Sequence, residues 1–280
     1  MGVNYMFQKY LVVASKKDKA GINIATQLAQ FKENPLLSSW ANKPSFDFYF
    51  VEEEMIFTEN LNLEKINEYD FIIFASKHKS EKGEKSLSIH SPGNFRKADY
   101  GGVEGKVCMA SALFNKALFE KLNEQAKKFT LTDFKVTLEC THHGPLIDKP
   151  CVFIEIGSTE NEWVNRRMGF IIAKTIQETI EEFKENKYRE IAVGIGGPHY
   201  CPSFNKIQLK SNVAIAHVIS EYNMPISREM ILEAIKKTHE DVDFVLVDWK
   251  GLGKSEHRQQ VIEILEENYI QWKKTSDITR

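Results

Sequence analysis

Residues 151–183, CVFIEIGSTENEWVNRRMGFIIAKTIQETIEEF, decide the fold class. The run Cys151–Ile156 is short and apolar on both sides, the pattern of a strand buried on both faces. Thr159-Glu160-Asn161-Glu162 then fits a capping box, in which the Thr and Glu side chains satisfy free N–H groups at a helix start. A helix is expected from there to about Phe183, with Trp163, Met168, Ile171, Ile172, Thr175 and Ile176 available for burial.

The same alternation extends both ways along the 280 residues. Tyr10–Ala14 and Asp70–Ala75 read as buried strands, with a helix over about 19–31 between them. Met109–Lys128 reads as a helix with Leu113, Ala117, Leu118 and Leu122 along one stripe. Phe134–Glu139 reads as a strand joined by a tight connection to Cys151–Ile156, which suggests a mixed sheet. Ile191–Ile195, Ala216–Ser220 and Phe244–Val247 follow as strands, with helices after Ser227 and over Glu256–Glu267. Strand–helix alternation of this kind predicts an α/β fold: three αβα layers around a mixed, largely parallel sheet. Eight prolines and fifteen glycines are scattered rather than clustered, so residues 1–280 read as one domain. The polar run 76–105 is too long for an ordinary connector and is expected to be a functional loop.

Composition narrows the function. Lysine and arginine number 37 against 39 acidic residues, a net charge of −2, so bulk charge does not make the chain a general polyanion binder. No stretch approaches the ~18 apolar residues of a membrane span, and the start has no leader pattern. A cytoplasmic location and reduced cysteines are therefore expected, with no membrane partner and no DNA partner. Cys140 and Cys201 lie close to histidines and are the two cysteines that could be ligands. Gly251-Leu252-Gly253-Lys254-Ser255 ends like a phosphate loop but has Asp248 where the first glycine belongs. Gly194-Ile195-Gly196-Gly197 lacks the third glycine of a dinucleotide fingerprint, because His199 stands there.

The histidines carry the chemistry. Five of the eight (His78, His90, His142, His143 and His199) lie beside turn residues, where α/β enzymes place their chemistry. Neutral imidazole is a common zinc ligand. His142 and His143 cannot both reach one ion from a regular strand unless the Gly144-Pro145 turn redirects one of them. Glu155 falls in an apolar strand and must be paired, hydrogen-bonded or metal-bound.

Several segments resemble a known family. They are Thr141-His142-His143-Gly144-Pro145, Phe153-Ile154-Glu155-Ile156-Gly157-Ser158-Thr159, and Gly196-Gly197-Pro198-His199-Tyr200 followed by Pro202 and Phe204. With Ser76-Lys77-His78, Leu87–Phe95 and Asp248-Trp249-Lys250-Gly251 they resemble the archaeal and plant class of D-aminoacyl-tRNA deacylase. In place of the family's Thr-Gly-Asn this chain has Ser91-Pro92-Gly93-Asn94. The resemblance implies a phosphorylase/hydrolase-like αβα fold and a zinc-dependent hydrolase of the D-Tyr-tRNA deacylase type. Such an enzyme cleaves the ester between a D-amino acid and the 3′ end of tRNA, so the expected cofactor is Zn2+ and the expected partner is the tRNA acceptor end.

On that chemistry His142, His143, His199 and Glu155 are the expected metal ligands, with Glu155, His199 and His90 as catalytic groups. Lys77, His78, Lys79 and Tyr200 are expected to meet the substrate. Backbone N–H groups of Gly196 and Gly197 are expected to hold an oxyanion or the terminal phosphate. Two other readings stay open: a nucleoside phosphorylase-like or zinc carboxypeptidase-like enzyme on the same architecture, and a non-catalytic tRNA-binding or zinc-storage protein.

Overall fold

A computed structural model of the chain describes residues 7–32, 44–58, 61–80, 82–184 and 189–278. Most of the segment read for a leader, residues 1–6, lies outside the described residues. The chain begins with β1 (Lys9–Ser15), α1 (Lys19–Leu28), β2 (Ser45–Val51), α2 (Leu63–Asn67), β3 (Phe71–Lys79) and β4 (Ser86–His90). It continues through β5 (Gly93–Asn94), β6 (Lys106–Val107), α3 (Ala112–Lys128), β7 (Lys135–Leu138), β8 (Cys151–Ser158), α4 (Glu160–Trp163) and α5 (Arg166–Glu182). The last third holds β9 (Glu190–Ile195), α6 (Pro202–Lys210), β10 (Val213–Ile219), α7 (Arg228–Lys236), β11 (Phe244–Val247), α8 (Ser255–Glu267) and β12 (Trp272–Lys274). No helix among the described residues is long and apolar enough to cross a membrane.

The fold is α/β, as expected, but its strands form two main sheets rather than one. Six strands run in the order β2-β1-β3-β8-β4-β7 and four in the order β10-β9-β11-β12. Among the described residues, every pairing within them is parallel except that of β4 with β8. The six-stranded sheet is therefore mixed, though not because β7 returns beside β8. β4 lies between those two and supplies the antiparallel partner. The stretch 76–105 is also more regular than a loop. Ser76–Lys79 extend β3, and Ser86–His90 form a fully buried strand in which Leu87 and Ile89 face the helices and Ser86 and Ser88 the other side.

Leu138, Ile154, Ile156, Leu87 and Ile89 share one core with α1, α3 and α5. The opposite face carries Phe74, Cys151 and Phe153, packed against Met55, Leu61, Ile66 and Ile147. The second sheet packs Val193, Ile195, Val245 and Val247 on α7 and α8. The helix expected over 159–183 is two helices. Glu162 accepts from the N–H of Thr159 at 3.1 Å and closes the capping box. Asn165 then caps a fresh start by accepting from the N–H of Arg167 at 3.0 Å.

Candidate active site

Register builds the floor of the site. Ser76 of β3 and Ser88 of β4 both stand opposite Glu155 of β8. His78 and Ser86 stand opposite Gly157, and His90 opposite Phe153. Directly opposed side chains share a face, so His78, Glu155 and His90 rise from the sheet side that the large helices leave free. Glu139 follows β7 on the same side, two residues after Thr137, which is paired with Ser88. Its N–H donates to the Ile89 carbonyl at 2.9 Å. Gly157 leaves the room: a Cβ there would lie 2.4 Å from Ser86 Oγ and 3.0 Å from His78 Cδ2.

Two loops form the walls. In one, His143 adopts a left-handed backbone, φ +46°, which breaks the alternation that would point His142 and His143 apart. Their rings lie 4.3 Å apart, and His142 is 4.2 Å from His90. In the other, Gly196 and Gly197 adopt φ +98° and +82° and turn the chain from β9 into His199. The Cys140 N–H donates to the His199 carbonyl and the Thr141 N–H to the Val218 carbonyl, both at 2.9 Å, so the site lies where the two sheets meet. The His142 and His199 rings are 4.7 Å apart.

The histidines fall into two electrical classes. Nδ1 of His90, His142 and His143 lies 3.3, 2.8 and 2.7 Å from the carbonyls of Ser91, Cys140 and Gly144. A carbonyl only accepts, so each Nδ1 carries the proton, and in the neutral ring Nε2 keeps a lone pair. Burial holds His143 down to about 4 and His142 well below the usual range. His78 and His199 behave oppositely. Burial alone would lower both. His78 Nδ1 lies 3.1 Å from Glu139 and 3.6 Å from Glu155, and these carboxylates raise it to about 11. His199 lies between Cys140 Sγ, 3.5 Å from Nδ1, and Glu139, 3.0 Å from Nε2, and is raised to about 10. In return, pairing with His78 outweighs burial and brings Glu155 to about 2. Glu139, fully buried, is held well below its ordinary value by His199 and His78.

This donor set fits a divalent cation. Nε2 of His90 lies 3.7 Å from Oε2 of Glu155, and neither atom has a hydrogen-bond partner among the described residues. Nε2 of His142 similarly faces Oε2 of Glu139 at 3.5 Å. A lone pair turned on a carboxylate needs a cation or a proton between them. The potential ligands group as His90/His142/His143, Cys140/His142/His199, His78/Glu139/His199 and His90/Glu139/Glu155, with the donor atoms of each group within 4.8 Å of one another.

All four expected ligands meet in this cleft, but no group contains more than two of His142, His143, His199 and Glu155. His90 is central. His78, expected to touch substrate, bridges the two carboxylates, and its Nε2–H donates to the Tyr200 hydroxyl at 2.9 Å. The expected role for the glycine amides does not hold. Gly196 donates to the Ile219 carbonyl at 2.7 Å and Gly197 to that of Gly251 at 3.2 Å, so neither N–H is free for an anion. Lys77 is paired with Glu54 at 3.0 Å, while Lys79 is exposed. Cys140 belongs to one of the groups and Cys201 to none among the described residues. The Gly251 turn closes on Asp248 Oδ1 at 3.1 Å and leads into α8, as expected of a helix lead-in. Sequence reasoning missed Glu139 and Tyr222, whose hydroxyl lies 2.6 Å from Cys140 Sγ. The signal for Glu139 was available: it stands at a strand end next to Cys140-Thr141-His142-His143.

Comparison with known proteins finds relatives over nearly the whole chain. The family model for D-aminoacyl-tRNA deacylase matches residues 65–273. The chain is 37% identical over 270 residues to a D-aminoacyl-tRNA deacylase of Pyrococcus abyssi, covering 92% of this chain and 96% of that one. It is 33% identical over 274 residues to one of Methanocaldococcus jannaschii, covering 95% and 99%. A crystal structure of a conserved protein of unknown function superposes with a TM-score of 0.84 at 29% identity, covering 98% of each chain.

Proposed function

The chain belongs to the D-aminoacyl-tRNA deacylase family, and on that premise we propose that it hydrolyses the ester between a D-amino acid and the 3′-terminal ribose of tRNA. The reaction releases free tRNA in the cytoplasm. One observation supports a metal-assisted route above others: His90 and His142 present lone pairs to buried carboxylates. His90, His142 and His143 would hold a zinc ion, with Glu155 beside them. Imidazoles whose Nδ1–H is anchored on a carbonyl are oriented in the manner of ligating histidines. When bound, zinc supplies a water of lowered pKa and polarises the ester carbonyl.

The chain's own residues do the rest. Glu155 receives the proton of the attacking water. His199 is at the mouth, with a side chain 33% exposed, and Cys140 and Glu139 keep it protonated. It gives that proton to the ribose oxygen as the C–O bond breaks. His78 holds both carboxylates and is itself fixed by Tyr200.

A second reading rests on the chain Cys140–His199–Glu139, the order of a nucleophile, base and orienting acid. In it the thiolate attacks the carbonyl, ribose leaves, and water cleaves the thioester.

The test is hydrolysis of D-Tyr-tRNA by the purified chain, before and after chelation, with His142→Ala and Cys140→Ser. Loss on chelation and in His142→Ala, together with a zinc-dependent rise in Tm, is expected. Activity that survives both chelation and His142→Ala but dies in Cys140→Ser would transfer the chemistry to the thiol. Tight tRNA binding without turnover would leave only the non-catalytic reading.

A further inference from the structure

The loop 196–200 has two sides. His199 and Tyr200 face the catalytic cleft, whereas Pro198 lines a separate groove of about 740 Å³, within the ~300–1,000 Å³ range of ligand sites. The groove and the cleft are therefore one loop apart. That loop is tied to the groove floor, because the Gly197 N–H donates to Gly251 at 3.2 Å.

Four lysines line the groove. Lys206 and Lys210 are one turn apart on α6, Lys250 is in the turn before α8, and Lys274 is on β12. Lys206, Lys210 and Lys250 are exposed, and none of the four has a carboxylate partner among the described residues. Asp248 is the one acidic residue among the described lining residues. It is buried, and its Oδ1 is taken up by the Gly251 N–H. The contrast with Lys77, already neutralised by Glu54, shows which lysines have charge to spare. Trp249 forms an aromatic wall with the Lys274 ammonium 4.2 Å from its ring centre.

We infer that this groove holds the phosphate backbone of the tRNA 3′ arm as it leaves the cleft. The inference rests on the deacylase reading for its orientation. The chemistry is general: a polymer whose reacting end lies at His199 must run past one wall or another, and unpaired ammonium groups on that wall neutralise phosphates and release counterions. A chain with a net charge of −2 would bind tRNA only through such a local concentration of cations.

The test compares the full chain with the variant Lys206→Gln/Lys210→Gln/Lys250→Gln. Binding of uncharged tRNA is measured across a salt series, and hydrolysis is measured on D-Tyr-tRNA and on D-Tyr-adenosine. The triple variant should bind tRNA at least tenfold more weakly at low salt. The slope of log K against log salt should flatten by about 2, as expected for three lost phosphate contacts at about 0.7–0.9 each. The ratio of kcat/KM for D-Tyr-tRNA to that for D-Tyr-adenosine should fall at least tenfold. An unchanged slope and an unchanged ratio overturn the inference. So does an equal loss in Lys127→Gln/Lys128→Gln, which would mean bulk charge alone. Binding of AMP that is lost in the variant while tRNA binding stays intact would make the groove a small-anion site and also overturn it. If the slope flattens while the wild-type chain hydrolyses no D-aminoacyl ester, the groove stands and the deacylase reading fails.

Discussion

Glu139→Gln isolates the hub of the site. The substitution keeps shape and volume but removes one charge from a fully buried position. That carboxylate lies 3.0 Å from His199, 3.1 Å from His78 and 3.5 Å from His142. It is the main reason His78 stays protonated despite burial, and it acts on His199 second to Cys140. Removing one partner of a buried ion pair costs about 3–5 kcal/mol, because the other charge is left uncompensated. Part of this is recovered when His78 or His199 releases its proton, so the lower end, about 3 kcal/mol, is expected. For a chain of this size that lowers Tm by roughly 5 °C. Glu155→Gln is the internal comparison. Its ion-pair contact with His78 is longer, 3.6 Å, so its stability loss should be smaller. The assay is thermal unfolding by circular dichroism at pH 7 on chelated protein, with deacylation measured in parallel. Activity should fall by about 10²–10⁴ in Glu139→Gln, because His199 loses one of the two partners that keep it a proton donor. If Glu139→Gln melts within 2 °C of wild type, the carboxylate does not organise the histidines and the assignment of a charged His78 is wrong.

Gly144→Ala tests the His142–His143 turn. The new Cβ would lie 2.4 Å from the Gly102 nitrogen, 2.5 Å from the Gly101 carbonyl carbon and 2.6 Å from the Ile56 oxygen, all backbone atoms. A loss above about 4 kcal/mol is expected, read as low soluble yield and weakened zinc binding by calorimetry. Tyr200→Phe removes the bond to His78 Nε2 and should cost about 1–2 kcal/mol in chemical unfolding. Lys116 gives the pH test. Burial lowers it to about 8 against 10.5 unfolded, so the unfolded chain binds more protons between these values and stability from this group rises with pH across that window. Lys116→Met removes this rise, so the wild-type stability relative to the variant should climb by about 3 kcal/mol from pH 8 to 10.5 in guanidinium unfolding. His78 and His199 act in the opposite sense. Their folded values of about 11 and about 10 exceed the usual 6.5, so their stabilisation is complete below pH 6.5 and is lost as pH rises through 10 and 11. That makes the variant comparison necessary.

What the sequence revealed and what it hid follow one physical rule. Apolar runs such as Tyr10–Ala14 and Cys151–Ile156 announce strands buried on both faces, and they lie inside β1 and β8. Histidines beside Gly and Pro were legible because turn residues mark where a strand ends and its side chains come free. β4 was not legible. Ser86, Ser88 and His90 read as polar loop, yet all are buried because they line a polar patch on the sheet. Glu139 carries one local mark, its place beside Cys140-Thr141-His142-His143, but nothing local shows that it is buried. In FKVTLE it looks like the solvent side of an alternating strand, and the loop carrying His199, 60 residues away in sequence, covers it together with His78 and His142. The split into two sheets was equally invisible, since local alternation says that strands exist and not which edges pair.

The functional residues therefore divide by how far away their partners lie. A histidine at a turn betrays itself locally. A buried carboxylate is explained only by distant cations, and the price of leaving it unpaired is what ties the two sheets together at this point. Glu139 hangs from the six-stranded sheet, while His199 arrives from β9 of the other. Any motion that parts the sheets must strip a buried charge of its partner. The chemistry and the rigidity of the seam are then the same interaction, and substitutions in the Gly196-Gly197 turn should damage both together even though neither glycine amide faces the cleft.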